Sequence, residues 1–135
     1  MAKFVYNGWE FPSVKSGPPN PRFLKIIMSP EVNSYNEATV LFSHIPPGSS
    51  TGRHSHTGDE IIYISSGRGE GQVGEKVTKL ETDSVIFAPG GVEHECRNTS
   101  ETETLKLFCV FIPPLEPSPL LEKLIDKTRK YLKDK

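Results

Sequence analysis

Short runs of apolar and β-branched residues recur along most of the chain, separated by clusters of proline and glycine. Runs of this length between turn-forming residues are typical of β-strands. The pattern predicts strands at Lys3–Tyr6, Phe23–Met28, Ala38–Ile45, Ile61–Ser65, Ser84–Ala88 and Leu105–Ile112. It also predicts a hairpin within Gly67–Leu80 that turns at Gly74-Glu75, and a loop over Ser29–Glu37. With about eight to ten short strands, the chain is predicted to be an all-β sandwich or small barrel.

The C-terminal segment changes to a helical period. Ser118 is a suitable N-cap, and Pro119 suits the first helical position because its missing N–H has no helical partner there. A helical spacing places six residues on one face: Leu120, Leu121, Leu124, Ile125, Thr128 and Leu132. We therefore expect an amphipathic helix packed on the outside of the domain.

The last predicted strand is apolar on both faces. Leu105, Leu107, Cys109 and Phe111 alternate with Phe108, Val110 and Ile112. The first set is expected to form core or the floor of a cavity, because alternate side chains of a strand share a face. The second set predicts that either the terminal helix or a second subunit covers the outside of the sheet.

Size and charge restrict the partners. A chain of 135 residues fits one domain, and 16 basic against 17 acidic residues give a net charge of -1. We expect neither nucleic acid nor a membrane as partner, because there is no basic excess and no apolar run long enough to cross a bilayer. The N-terminus lacks the apolar stretch of a secretory signal, and Cys96 and Cys109 form no C-x-x-C motif. A reducing cytoplasm is therefore the expected location.

Three of the four histidines and one glutamate form a candidate metal site. His54, His56 and Glu60 have the same parity, so a single extended strand would point all three side chains inward. His94 lies on a later segment that would run alongside and supply a third imidazole. Neutral imidazoles and a carboxylate are ligands that divalent first-row metals accept. The spacing alone is only suggestive, since histidines are also common on surfaces.

The surrounding residues carry a family resemblance. The spacing G-x5-H-x-H-x3-E-x6-G is matched by Gly48, His54, His56, Glu60 and Gly67. The spacing P-x-G-x2-H-x3-N is matched by Pro89, Gly91, His94 and Asn98. With these two motifs the chain resembles a single-domain cupin of the RmlC-like superfamily, over roughly residues 38–112. One position departs from the family pattern, because Asp83 stands where the second motif opens with glycine; it lies in a predicted turn, where Asp is a mild substitution.

The resemblance implies a small double-stranded β-helix, or jelly-roll barrel, to which the sequence adds a C-terminal α-helix. It divides the chain into N-terminal strands and loops over residues 1–37, the cupin barrel over 38–112, and a proline-rich turn with the helix over 113–135. Family members commonly form homodimers by exchanging N-terminal strands, so a homodimer is expected, with Lys3–Phe11 as its arm.

The resemblance also implies that His54, His56, Glu60 and His94 bind one divalent transition metal ion, which would be Fe, Mn, Ni, Co or Zn. Three imidazoles and one carboxylate leave two open positions on an octahedral ion, which favours catalysis on a small-molecule substrate. The expected classes are dioxygenase, then sugar-acid isomerase or lyase, then decarboxylase, acting on a small oxygen-rich or aromatic metabolite. A non-catalytic barrel that binds or senses a metal-chelated small molecule is the alternative, and a pure dimer scaffold is disfavoured by the intact ligand set.

No catalytic residue beyond the ligands can be assigned from sequence. Cys96 shares parity with His94, but a small buried hydrophobe is favoured over a reactive thiol. His44 is expected to be structural or part of a cavity wall. Arg53, Arg68 and Arg97 lie near the motifs, and each is more simply a solvated charge than a partner for a substrate carboxylate.

Overall fold

The computed structural model describes residues 4–135, and this part of the chain forms nine β-strands and two α-helices. The strands are β1 (Val14–Lys15), β2 (Phe23–Met28), β3 (Thr39–Ile45), β4 (Asp59–Ser66), β5 (Gly69–Val73), β6 (Lys76–Leu80), β7 (Val85–Ala88), β8 (His94–Asn98) and β9 (Leu105–Ile112). The helices are α1 (Pro30–Asn33) and α2 (Pro119–Lys133).

The strands form two antiparallel sheets. The larger has six strands in the order β1-β2-β3-β9-β4-β7, and the smaller has three in the order β6-β5-β8. Strands β5 and β6 form the predicted tight hairpin, in which Val73 pairs with Lys76 across Gly74-Glu75. Strands β1, β2 and β3 are also consecutive antiparallel neighbours, but the other connections between β3 and β9 join strands that do not pair, which is the connectivity of a jelly roll. The predicted all-β jelly roll with a C-terminal helix is confirmed.

Two local predictions for the N-terminal third are wrong. Residues 4–7 form no strand and lead into a single 3-10 turn at Gly8–Glu10; Lys3, the first residue of that predicted strand, lies outside the described residues. The predicted loop over Ser29–Glu37 contains the short helix α1. The Ser29 hydroxyl caps this helix by accepting a hydrogen bond from the Val32 amide at 3.2 Å.

The space between the sheets is filled by inward-facing strand residues. Strands β4 and β9 bury alternate side chains, so that β4 contributes Ile62 and Ile64, and β9 contributes Leu105, Leu107, Cys109 and Phe111. These residues form one continuous core with Leu24 and Ile26 of β2. The prediction for the inward face of β9 is confirmed, and this core supports the floor of the site described below.

Helix α2 completes the core at the β1–β2 end of the large sheet. The Ser118 hydroxyl accepts a hydrogen bond from the Leu121 amide at 3.3 Å, and Pro119 occupies the first turn, as predicted. The core-facing side of α2 consists of Leu121, Leu124, Ile125 and Thr128, while Leu120 and Leu132 are partly buried. Within residues 4–135, no helix combines the length and apolar character needed to span a lipid bilayer.

The outer face of the large sheet is only partly covered. Val110 packs against a second apolar cluster to which Tyr131 and Leu132 of α2 contribute. Farther along the sheet, six large apolar side chains remain at least 37% exposed; we refer to Ile61, Tyr63, Val85, Phe87, Phe108 and Ile112 as the outer patch. The helix therefore accounts for one part of the apolar outer face of β9 and leaves the other part open.

Candidate metal centre

The candidate ligands approach one another from both sheets. His54 and His94 form an isolated antiparallel bridge, in which the His94 amide donates to the His54 carbonyl at 2.8 Å and the reverse bond measures 3.1 Å. Glu60 is the second residue of β4, in the large sheet, and His56 lies on the connection between them. The expectation that His54, His56 and Glu60 share one strand is wrong, because the chain passes from the small sheet to the large one between His54 and Asp59.

Despite this change of strand, the four side chains meet as the motif implied. One potential ligand atom from each of His54, His56, Glu60 and His94 lies within 4.8 Å of the other three. The imidazole ring centroids are 4.6 to 5.3 Å apart. Glu60 and His94 are buried, and His54 and His56 are half-buried. Four ligand atoms this close together could hold one metal ion.

Backbone carbonyl groups set the tautomers of two imidazoles. Nδ1 of His54 lies 2.8 Å from the Gly52 carbonyl oxygen, and Nδ1 of His94 lies 3.0 Å from that of Val92. A carbonyl oxygen only accepts hydrogen bonds, so both Nδ1 atoms carry protons. Nε2 of each ring is therefore the nitrogen directed at the other ligands. Metal-binding histidines commonly have their second nitrogen held in this way.

The charges within the cluster oppose the effect of burial. Burial raises the pKa of the Glu60 carboxyl, but contacts with His56 and His94 outweigh it and lower that pKa to about 2. Burial likewise lowers the pKa of His94, but its hydrogen bond to Glu60, with Nε2 2.9 Å from Oε1, raises the pKa overall. Glu60 is therefore an anion, and a cation bound at Nε2 of His94 would replace the hydrogen bond between these two side chains.

His56 provides the clearest test of whether a metal fits. Its Nε2 atom is buried without a hydrogen-bond partner among the described residues, although Glu60 Oε1 lies 3.4 Å away. Its ring is held edge-on to Phe111, with the centroids 5.1 Å apart. A buried polar atom without a partner is unfavourable, and a metal ion would supply the missing partner. The donor set and this unpaired nitrogen both fit a divalent transition metal.

Neither cysteine belongs to the ligand set. Cys96 and Cys109 are free and buried. Burial raises the pKa of Cys96 to about 12, and burial together with the nearby Glu60 carboxylate raises that of Cys109 well above its usual value. Raised thiol pKa values disfavour nucleophilic attack, which requires the thiolate, and neither sulfur belongs to the group of four close ligand atoms. Cys96 lies inward in the core, as the interpretation of a small buried hydrophobe predicts.

A cavity of about 240 Å³ lies over the four ligands. Leu107, Cys109 and Phe111 line it, which confirms β9 as its floor. The residues before α2 and its first turn form another wall. Sequence reasoning missed four polar residues of the lining, which are Arg22, Ser43, Thr51 and Glu116. Arg22 and Ser43 could have been found by parity: Arg22 directly precedes β2, two positions before buried Leu24, and Ser43 lies two positions after buried Leu41 on β3.

The arginines considered from sequence lie elsewhere. Arg53 donates to the Gly74 carbonyl and forms an ion pair with Glu93, and Arg97 forms an ion pair with Glu95 at 2.7 Å. Arg68 is exposed. His44 lines a separate cavity on the outside of the large sheet, consistent with its predicted place in a wall. None of these four side chains reaches the candidate metal centre.

A family model for the cupin domain matches residues 41–111, more than half of the chain. The chain is a cupin. An RmlC-like cupin from Shewanella frigidimarina shares the fold, with a TM-score of 0.67 over 83% of this chain and 92% of that structure, at 14% identity. Asp83, the departure from the second motif, adopts a φ of +76°, a conformation that glycine favours and aspartate tolerates. Its carboxylate accepts a hydrogen bond from the Tyr63 hydroxyl.

Other relatives of this cupin include two whose names refer to oxalate and one that is uncharacterized. An oxalate-binding protein from Thermotoga maritima is 38% identical over 69 residues, which are 50% of this chain and 56% of that protein. An uncharacterized protein from Streptomyces coelicolor is 34% identical over 50% of this chain and 62% of its own length. The cupin thus spans less than two thirds of either relative. A crystal structure described as a predicted oxalate decarboxylase from T. maritima is 25% identical, with a TM-score of 0.73 over 82% of this chain and 99% of that one.

Proposed function

We propose that this cupin binds one divalent transition metal ion through His54, His56, Glu60 and His94, and that it is an enzyme acting on a small oxygen-rich metabolite bound to that ion. The observation that carries the proposal is the meeting of four ligand atoms within 4.8 Å at the base of a cavity. A structural zinc site would normally use cysteine and have no cavity over it. An open, cavity-facing ligand set is the arrangement of catalytic metal sites.

The residues around the centre have separable roles in this proposal. The Gly52 and Val92 carbonyl groups hold the rings of His54 and His94, and Phe111 holds that of His56. The apolar cavity wall, including Ile62 and Leu107, limits access of water and so strengthens electrostatic interactions inside. A divalent ion at this position supplies Lewis acidity toward substrate oxygen atoms. Which of Fe, Mn, Ni, Co and Zn is bound would depend on metal availability and on coordination geometry.

The reaction classes considered are dioxygenase, sugar-acid isomerase or lyase, and decarboxylase. The names given to the T. maritima protein sequence and to the T. maritima crystal structure favour small carboxylates, and so support a decarboxylase more than a catechol dioxygenase. One of those names also favours a second candidate function, a barrel that binds a chelating metabolite without converting it. Fold alone does not choose between them, because one scaffold hosts many chemistries.

Turnover and affinity measured on the same compounds separate the two functions. Protein loaded in turn with Fe(II), Mn(II), Co(II), Ni(II) and Zn(II) would be tested with small carboxylates, sugar acids, diketones and catechols, following oxygen uptake and substrate loss. We expect metal-dependent loss of at least one compound. Tight binding with no conversion would favour the binding barrel, and neither binding nor conversion with a fully loaded centre would contradict both functions.

We also propose that two copies associate through the outer patch, giving the expected homodimer. The patch lies on neighbouring strands, with Ile61 opposite Phe87 and Tyr63 opposite Phe108, and β7 forms the edge of the sheet. Its ends carry opposite charges, because Lys106 and Asp59 stand at opposite ends of the paired strands β9 and β4. A two-fold axis across these strands would set the Lys106 end of one copy against the Asp59 end of the other, which makes the patch self-complementary.

The solution mass tests this assembly. A Phe87→Glu variant places a charge within the proposed apolar contact, so we expect the mass from light scattering to fall from that of a dimer to that of a monomer. Val77→Glu is the matched control, because Val77 is also exposed but lies on β6 of the small sheet, and it should leave the dimer intact. A monomeric parent protein, or a dimer that survives Phe87→Glu, would contradict the proposal.

The predicted exchange of N-terminal arms between subunits is independent of the contact proposed at the outer patch. Residues 4–7 form no strand, and Phe11 is buried in its own chain beside Tyr131. The dimer proposed here therefore relies on the outer patch and needs no exchange of Lys3–Phe11, which stays a prediction. A cytoplasmic location also stays a proposal, supported by two cysteines that are free of any disulfide bond.

A further inference from the structure

We infer that Arg22 and Ser43 form a carboxylate-binding subsite in the cavity, so that the substrate is a small carboxylate held between them and the metal centre. The inference rests on the proposed function, because the same cavity lies over the four ligands. It adds the chemical class of the substrate and names the two side chains that would select it. Neither Arg22 nor Ser43 belongs to the two cupin motifs.

The Arg22 guanidinium forms no ion pair with any of the residues that the structure describes. Arg22 directly precedes β2, lines the cavity, and is only partly exposed. Among residues 4–135, no carboxylate lies within 4.0 Å of its guanidinium and no side-chain hydrogen bond fixes it. Burial lowers the pKa of Arg22, against the attraction of charges that include Glu60. A partly buried guanidinium is commonly paired with an anion through two parallel hydrogen bonds. Because Arg22 has no such partner among the described residues, its N–H donors are available to bind a ligand carboxylate.

Ser43 is a second unpaired group in the same wall. It lies on β3 opposite Leu24, in register with the strand that follows Arg22. Ser43 is buried and lines the cavity, and its hydroxyl has no hydrogen-bond partner among the described residues. A buried hydroxyl without a partner is uncommon in a folded protein. A ligand oxygen in the cavity would satisfy Ser43 and Arg22 together.

The charges of the filled centre favour an anion. Glu60 neutralises only part of the charge of a divalent ion, and Arg22 adds another positive charge to the cavity. Glu116 is the remaining carboxylate of the lining, and it lies exposed at the rim, where solvent screens it. The cavity of about 240 Å³ has room for roughly eight water-sized groups. A short mono- or dicarboxylate fits these limits better than a nucleotide or an oligosaccharide.

The test uses intact protein loaded with Mn(II), with metal content measured first. Calorimetric titrations with oxalate, glyoxylate, pyruvate and malonate would compare the parent protein with Arg22→Gln. We expect at least one carboxylate to bind the parent protein and to bind Arg22→Gln about tenfold or more weakly, as expected for loss of a charge-assisted contact. Arg22→Lys should retain part of the affinity, because it keeps the charge and loses the bidentate fork. Ser43→Ala should weaken binding several-fold.

Two controls separate this inference from the proposed function. Arg53→Gln removes an arginine that is ion-paired outside the cavity, and it should leave carboxylate affinity unchanged. Imidazole, an uncharged metal ligand, should bind the parent protein and Arg22→Gln equally. If metal and imidazole bind but no carboxylate does, or if Arg22→Gln and Arg22→Lys both bind carboxylate like the parent, the subsite is refuted while the metal centre stands. If no metal binds, the proposed function fails.

Discussion

Replacing His94 with alanine is expected to lower the affinity for Mn(II) or Co(II) by more than about a hundredfold, since even residues behind the ligands change metal affinity by up to that factor. His94 is buried, and its Nδ1 proton is held by the Val92 carbonyl, so its Nε2 atom already has the orientation of a ligand. Alanine would remove that nitrogen and leave the Glu60 carboxylate buried with fewer partners. Metal content after dialysis and calorimetric titration would measure the loss.

The matched control for this variant is His44→Ala. His44 is half-buried on β3 and lines a cavity outside the large sheet, away from the four ligands. Its replacement should leave metal content unchanged, although both variants remove one imidazole. Equal metal content in His94→Ala and the parent protein, or equal losses in both variants, would show that the metal binds elsewhere.

Replacing Gly67 with alanine is expected to destabilise the fold by about 3 kcal/mol or more, which puts it among the severe single substitutions. Gly67 follows β4 with a φ of +92°, which a residue with a Cβ adopts only under strain. A Cβ there would lie 2.5 Å from the Thr104 carbonyl oxygen and 3.0 Å from the Cα atom of Leu105. Leu105 opens β9 and is buried in the core, so relieving this overlap would displace a central strand.

Gly48→Ala separates the two causes of this loss. Gly48 also has a positive φ, +76°, but a Cβ there would meet no atom within 4 Å. The variant should therefore show only the conformational cost of about 1–2 kcal/mol. Urea denaturation of both variants against the parent protein measures the difference. Similar losses in both variants would mean that the close approach of residue 67 to β9 is not a determinant of stability.

The sequence was most informative where one physical signal dominated. Alternating apolar residues predicted β9, and the Ser118-Pro119 pair predicted the start of α2, because both signals are local. The N-terminal third was less predictable. Phe4 and Val5 are apolar yet exposed, and they form no strand, because strand formation requires a neighbouring edge that local sequence does not reveal.

In the candidate site, too, local patterns were predictable from the sequence and long-range placement was not. The four ligands were identified from motif spacing, yet the assumption of one continuous strand was wrong, because parity cannot show where a chain leaves one sheet for another. Arg22 was missed for a related reason. It lies 32 positions before His54 in the sequence, outside both motifs, and it reaches the cavity only because β2 pairs with β3 in a specific register. Long-range pairing, rather than composition, places it there.

The claim that His54, His56, Glu60 and His94 hold one metal ion is tested most directly by anomalous diffraction from crystals grown with Mn(II). We predict a single strong anomalous peak on each chain, within bonding distance of all three Nε2 atoms and the Glu60 carboxylate. A peak elsewhere on the chain, or no peak between these four side chains at saturating Mn(II), would contradict the account.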